Sequence, residues 1–433
     1  MNELAVELNR TLENSIAYGF LSELGKRMYF PKGITAQSAE AGERAKRHNA
    51  TVGLATTNGQ PFCLSDIYNV FKEGIFKPSD LFNYAPGGGD KSLRAHWQAR
   101  MFRKNPSLQN AKVSFPLVTG GLTHTISIVA QLFVGAGQEV VCPNLFWDNY
   151  DLIFTDLVGA KLRLFQFYNA EGGFNVEGMK EALLAVPGDY ARIILNFPNN
   201  PTGYTPSKTE AEAIVEAVKE VADTGKKVMV ISDDAYFGLF FEEETEKESL
   251  FAKFALAHPN IFAIKGDAAT KEEMVWGFRI GFITYASKDF TDAHMAALEN
   301  KTLGAIRCTV SNCDRPGQSM LLKAMRNGPN YQADKDALQA EMQKRYNLVH
   351  AAVERHKGDK FLTPYPFNSG YFMAFNLNGR SADALRRYLL DEYEVGVINI
   401  LGHTLRLAYC SVECEAIDDL VDTVYKAAAE LWG

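Results

Sequence analysis

The stretch Ile193–Gly203 reads I-I-L-N-F-P-N-N-P-T-G, an apolar run that stops in a cluster of amides, prolines and a glycine. Ile193–Leu195 has the composition of a buried strand, the prolines fix φ and end it, and Gly203 permits a tight turn. A plain polar turn explains the prolines and the glycine. It does not explain two adjacent amides, Asn199 and Asn200, at the end of such a strand. Outward from this point, further strand-like runs fall at Val140–Cys142, Arg192–Asn196, Lys227–Ile231, Ile261–Lys265 and Phe278–Thr284. Between them lie amphipathic stretches such as Lys208–Ala222. That alternation predicts an α/β chain with a largely parallel sheet covered on both faces, whose βα turns are the places for ligands.

Three more segments carry chemistry-bearing groups at such turns. The run Val228–Ile231 ends in Ser232-Asp233-Asp234-Ala235-Tyr236, which reads either as a turn acid and helix cap or as a carboxylate aimed into a site with a phenol three residues on. Gly266-Asp267-Ala268-Ala269-Thr270-Lys271 follows the run Ile261–Lys265 and places a lysine just past a strand. A surface lysine is the ordinary reading. A nucleophilic one needs burial or a neighbouring cation, and Arg279, flanked by Gly277 and Gly281, is such a charge and a phosphate grip. Val118-Thr119-Gly120-Gly121-Leu122-Thr123 leads into an apolar helical stretch, so backbone N–H groups there could face an anion, although most Gly-Gly pairs are plain turns.

Composition narrows the partners. The chain has 433 residues, 46% hydrophobic and 22% charged, the balance of a soluble globular enzyme with two or three domains. Its formal charge of −7 carries no basic block, which argues against nucleic acid and anionic membranes as partners. No apolar run reaches the roughly 20 residues that span a bilayer, and the N-terminus lacks the order of a signal peptide. The six cysteines show neither a disulfide framework nor zinc-like spacing, so the expectation is a cytoplasmic protein with reduced thiols and no metal. After about residue 315 a charged helical pattern (Tyr331–His356), strands near Tyr371–Asn376 and Leu405–Cys410, and a helix from Glu415 predict a smaller α+β unit. The first sixty-odd residues show no clear period and are expected to wrap onto other parts.

Taken in this order, the segments resemble the fold-type-I, class I/II aminotransferases, the group with aspartate and aromatic aminotransferases, from about Tyr84 to Arg406. The resemblance implies pyridoxal 5'-phosphate as cofactor and a large domain (66–315) with a mostly parallel seven-stranded sheet. It implies a small α+β domain from 316–433, completed by part of an N-terminal arm (1–65). On the family pattern Lys271 forms the internal aldimine and shuttles the proton, Asp233 pairs with the pyridine nitrogen, and Tyr236 and Asn200 bond the ring's phenolic oxygen. Arg279 with backbone amides of Gly120, Gly121 and Leu122 takes the phosphate. Trp147 stacks on the ring, with Phe146 or Tyr150 as the alternatives in a shifted register. Arg406 clamps the substrate α-carboxylate, Gly33 falls near the substrate, and Tyr84 reaches the partner's cofactor phosphate in a homodimer with shared sites.

Two departures stand out. Ala268 occupies the place of the family's phosphate-binding serine, which leaves Thr119, Thr270, Arg279 or another group to do that work. Met28–Gln37 lacks the usual family approach to the substrate-side glycine. Ile306-Arg307, followed by Ser311-Asn312, is similar to the region where aspartate aminotransferases read a distal carboxylate with a partner-subunit arginine, which implies aspartate or glutamate as donor if Arg307 plays that role, with an aromatic donor as the alternative. The implied reaction is a ping-pong exchange of an amino group between an L-amino acid and a 2-keto acid. A pyridoxal-phosphate lyase, decarboxylase or synthase on the same scaffold stays open, as does a non-catalytic regulator, although no basic N-terminal domain is present for the latter.

Overall fold

The computed structural model describes residues 1–13, 26–27, 34–70 and 75–433. Its central sheet has seven strands: β1 (Leu117–Thr119), β2 (Glu139–Pro143), β3 (Lys161–Phe165), β4 (Tyr190–Asn196), β5 (Lys227–Asp233), β6 (Ile261–Ala268) and β7 (Gly281–Ala286). They lie in the order β1-β7-β6-β5-β4-β2-β3, all parallel except β7, which runs antiparallel to β1 and β6. The strands read as continuous apolar runs because both faces are buried. Ile194, Met229, Ile231 and Ile264 join one core, while Ile193, Leu195, Val228, Val230 and Ala263 join the other.

Register then decides what meets what at the carboxyl ends. Asn196 pairs with Asp233, and Asp233 with Gly266, so the ends of β4, β5 and β6 form one row. The expected strand at Phe278–Thr284 starts later. Trp276–Phe278 is a single 3₁₀ turn and Arg279 is left-handed (φ 53°), so the ladder begins at Gly281. The edge strands Leu117–Thr119 and Lys161–Phe165 were not foreseen, the second because its burial is only partial.

A second, antiparallel sheet contains β8 (Thr363–Pro364), β9 (Phe372–Asn376), β10 (Ile398–Ile400) and β11 (Thr404–Ala408) in the order β8-β9-β11-β10. The helix Tyr331–Arg355 leads to it and the helix Ile417–Trp432 packs on that helix. The N-terminal region is more regular than its sequence suggests. The helix Ile34–Arg44 docks on this sheet, with Gln37 exchanging hydrogen bonds with the Asn399 backbone (Nε2 to O, 3.1 Å; N–H to Oε1, 2.7 Å). Gly203 joins the two units. Its φ is +76°, and a Cβ there would lie 1.9 Å from the carbonyl oxygen of Phe372 on β9.

Just past Lys271 the chain is fixed by buried charge. Glu273 is fully buried and accepts from the Tyr331 hydroxyl (2.5 Å) and Lys335 (2.7 Å), and it pairs with Arg100. Glu272 accepts from Arg100 (2.7 Å) and from Lys104. Burial alone would raise the Glu273 carboxyl, but the Arg100 and Lys335 charges hold it down at about 2. Its contribution is therefore present above the ordinary carboxylate range and lost only as pH falls towards 2. Glu273→Gln leaves two buried cations short of a counter-charge and is expected to lower stability at pH 7 by about 3 kcal/mol. Denaturant unfolding checks this, and a loss below about 1 kcal/mol contradicts the assigned role.

Candidate active site

A cavity of about 240 Å³ opens at the carboxyl ends of β4, β5 and β6. Asp233, Tyr236, Asn200, Trp147, Lys271, Arg279 and Leu122 all line it, so residues far apart in sequence meet as expected. Thr123, Asn196, Ala235 and Thr270 complete the wall.

Asp233 sits at one end. Its Oδ2 accepts from the Tyr150 hydroxyl (2.5 Å) and its Oδ1 from the Ala235 N–H (3.1 Å). Asn196 Nδ2 donates to the Asp233 carbonyl (2.9 Å) and, at 3.3 Å, to its Oδ1. Burial pushes the carboxyl up to about 6, against the pull of Tyr150, Ala235 and Lys271. Lys271 lies 4.5 Å from the Tyr236 ring centroid. Loss of hydration presses its amine down to about 8, with Asp233 opposing the shift and Arg279 adding to it. The phenol of Tyr236 is pushed up by burial.

At the other end the helix Leu122–Phe133 begins at Gly121, whose φ is +89°. A Cβ on Gly121 would lie 2.6 Å from Nη2 of Arg279, so only glycine lets the guanidinium reach the helix start. Gly281 is equally constrained, since a Cβ there would meet the Gly121 backbone and Thr119 Oγ1 at 2.6 Å. Amides of a first helical turn have no intrahelical acceptor, and with Arg279 they form a cradle for an anion.

Other expectations need adjustment. The Gly120 N–H is already taken, since it donates to Nδ1 of His124 (3.0 Å). The Thr119 hydroxyl is buried beneath the cradle with Thr125 (2.7 Å) and the Gly121 carbonyl, so it does not replace the serine missing at Ala268. Thr123 and Thr270 are the hydroxyl residues of the wall. Trp147 takes the place beside the cavity, and Tyr150, its alternative, lies beneath it on Asp233.

Arg406, on β11, is buried just outside. It donates from Nη1 to Asn200 Oδ1 (2.9 Å) and from Nη2 to the Thr51 carbonyl (2.8 Å), and its guanidinium lies 4.2 Å from the Phe372 ring centroid. Its Nε has no hydrogen-bond partner among the described residues. Tyr84 is 89% exposed in the single chain and is not part of the wall. Arg307 is likewise exposed, bonded to Ser311 (2.5 Å), and Gly33 lies outside the described residues.

The roles of Tyr150 and Asn196 were missed. Nothing local marks Tyr150 as the partner of a carboxylate 83 positions on. Asn196, by contrast, ends the very strand that opens the motif, and register alone puts it against Asp233.

Residues 52–424 match the family model for aminotransferase class I and II. The chain belongs to that family. Members of the class I and II family work with pyridoxal 5'-phosphate, so the enzyme class and the cofactor stand as expected. Among relatives, a probable aspartate/prephenate aminotransferase of Aquifex aeolicus is 26% identical over 361 residues, 80% of this chain and 84% of that one. A probable N-acetyl-LL-diaminopimelate aminotransferase of Bacillus subtilis is 25% identical over 277 residues, 64% of this chain and 63% of its own length. In fold, an aminotransferase from Anaerococcus prevotii superposes with a TM-score of 0.83 at 24% identity, covering 93% of this chain and 98% of that one.

The site fits the family's cofactor on its own terms: an anion cradle at one end, a carboxylate at the other, and a desolvated amine between them. Asp233 also yields a test. Its carboxyl titrates near 6 in the folded chain rather than at 3.8, so the stability it lends is present below about pH 4 and lost as pH rises through 6. Asp233→Asn is expected to match the parent at pH 4 and to be more stable at pH 8 by up to about 3 kcal/mol, read by unfolding of the cofactor-free protein. Equal stability at pH 8 would remove burial as the cause.

Proposed function

We propose that this chain moves an amino group between an L-amino acid and a 2-keto acid in two ping-pong half-reactions. The observation that carries the reading is the placement of Lys271 in one cavity with Asp233 at one end and Arg279 against a helix N-terminus at the other. Pyridoxal phosphate, when bound, supplies a carbonyl for capture of the amine and a ring that accepts electrons. Everything else belongs to the protein. Lys271 holds the cofactor covalently and, with its amine pressed down to about 8, moves the α-proton near neutral pH. Asp233 pairs with the ring nitrogen and favours its protonated form.

Arg279, the Gly121 and Leu122 amides, and the hydroxyls of Thr123 and Thr270 hold the phosphate. Tyr236 and Asn200 would bond the phenolic oxygen of the bound cofactor, and Trp147 would stack on its ring and exclude water. Arg406, with its free Nε, takes the substrate α-carboxylate.

The active unit in this reading is a homodimer. Tyr84 and Phe82 are 89% and 83% exposed, an aromatic pair beside the helix Pro78–Phe82 that suits contact with a second copy. Tyr84 then reaches the neighbouring phosphate cradle. Arg307 is the candidate reader of a distal carboxylate, which favours aspartate or glutamate, with aromatic donors as the second class. The six free thiols suit a cytoplasmic setting.

The test is an absorbance titration of the loaded protein with glutamate, aspartate, tyrosine, phenylalanine, alanine and lysine. One donor class is expected to bleach the cofactor band, and a 2-keto acid to restore it. Borohydride reduction should mark Lys271 in the parent, and Lys271→Ala should give no marked peptide. A band that never bleaches, or release of ammonia and pyruvate, replaces transamination with a lyase. A protein that takes up no cofactor overturns the reading.

A further inference from the structure

A second and larger cavity, about 410 Å³, touches the Lys271 segment from elsewhere, and Lys271 lines both spaces. Its walls come from the helix Lys91–Lys104, the turn at Phe237–Leu239, residues 271–272 and the helix Tyr331–Arg355. Arg100, Arg103 and Lys104, spaced three and four apart on one helical face, enter from one side and Lys335 from the other.

The charges do not balance. Five lysine and arginine side chains, Lys271 among them, line the space against two carboxylates, Glu272 and Asp336, with Glu273 beneath the wall as a third. Asp336 is exposed and is engaged by Gln332 (2.7 Å). Arg100 and Lys104 converge on one oxygen of Glu272, Oε1. Arg103 has no acidic partner among the described residues. Burial first, and then the Arg100 and Lys335 charges, press the Lys104 ammonium down to about 5, so its amine regains a charge near neutral pH only when an anion offsets these effects. Clustered guanidinium and ammonium groups in a partly enclosed space suit oxyanions, which accept several charge-assisted hydrogen bonds at once.

We propose that this cavity is a binding site for a small doubly charged oxyanion, a phosphate or a short dicarboxylate. Arg103 and Lys104 hold it from one helix and Lys335 from the other. Through Lys104 the anion shares a group that anchors Glu272, the residue next to Lys271, so its occupancy bears on the segment that carries the reactive amine. The site is separate from the Arg279 cradle, and the proposal does not depend on which reaction the first cavity performs.

Calorimetry on the loaded protein decides it, with inorganic phosphate in one arm and succinate in another, each against the parent, Arg103→Ala and Lys104→Gln. One of the two anions is expected to bind the parent saturably, and both variants to weaken it at least fivefold. The same anion should raise the unfolding temperature of the parent and not of Arg103→Ala, because a ligand stabilises only the state that binds it. Arg103 is exposed, so its replacement leaves the fold intact. Absence of saturable binding by either anion, or binding unchanged in Arg103→Ala, overturns the proposal. Failure of transamination leaves it standing, since the heat of binding is read without turnover.

Discussion

Keeping the Lys271 amine out of water is unfavourable unless the backbone carrying it is fixed on both sides, and most of the site follows from how that is done. Upstream, Ala268 ends β6 in register with Gly281. Downstream, Glu273 is locked among Arg100, Lys335 and Tyr331. Lys271 is three positions past Ala268 and two before Glu273. So short a bridge fixes the backbone from which the Lys271 side chain enters the cavity. The depression to about 8 comes first from burial, with the Arg279 charge adding to it and Asp233 opposing it.

The parallel sheet supplies the opposite wall by register. Because β4, β5 and β6 end together, Asn196, Asp233 and Gly266 form a row, and each has a distinct task. Asn196 donates to the Asp233 backbone and carboxylate and accepts the Asn200 N–H (2.8 Å), so it sets both neighbours. Gly266 makes room, since a Cβ there would lie 2.8 Å from Cδ1 of Leu122 at the helix start and force that side chain to shift. The cradle therefore depends on absent side chains at 121, 266 and 281 as much as on the Arg279 guanidinium.

Much of this could be read from the sequence, for a physical reason. Strands buried on both faces give plain apolar runs, and the groups that follow them directly, such as Asp233 and Lys271, are fixed by chain continuity. What escaped was set by contacts between distant segments. The Tyr150 hydroxyl on Asp233, the His124 ring on the Gly120 N–H and the burial of Thr119 depend on how helices seat on the sheet. Glu272 and Glu273 read as solvent-facing acids until the helices that bury them are placed. The helix Ile34–Arg44 was passed over because its alanine, glutamate and glutamine pattern carries little apolar period, and much of what holds it is polar, through Gln37 and Glu40.

Arg406 ties the second sheet to the Asn200 turn at the edge of the cavity. Its guanidinium is buried yet paired only with neutral acceptors, Asn200 Oδ1 and the Thr51 carbonyl, and with the face of Phe372. No carboxylate among the described residues bonds to it, and Asp148 acts on it only through space. A buried cation held this way has given up water without gaining a counter-ion, so an incoming carboxylate is favoured over any neutral group. Asn200 couples the two events, because the side chain that bonds Arg406 also lines the Lys271 cavity. Gly203 seats the motif's turn, which carries Asn200, directly against β9 of the sheet that carries Arg406. In the proposed reaction, a substrate held by its carboxylate at Arg406 would lie beside the cavity that holds the Lys271 amine.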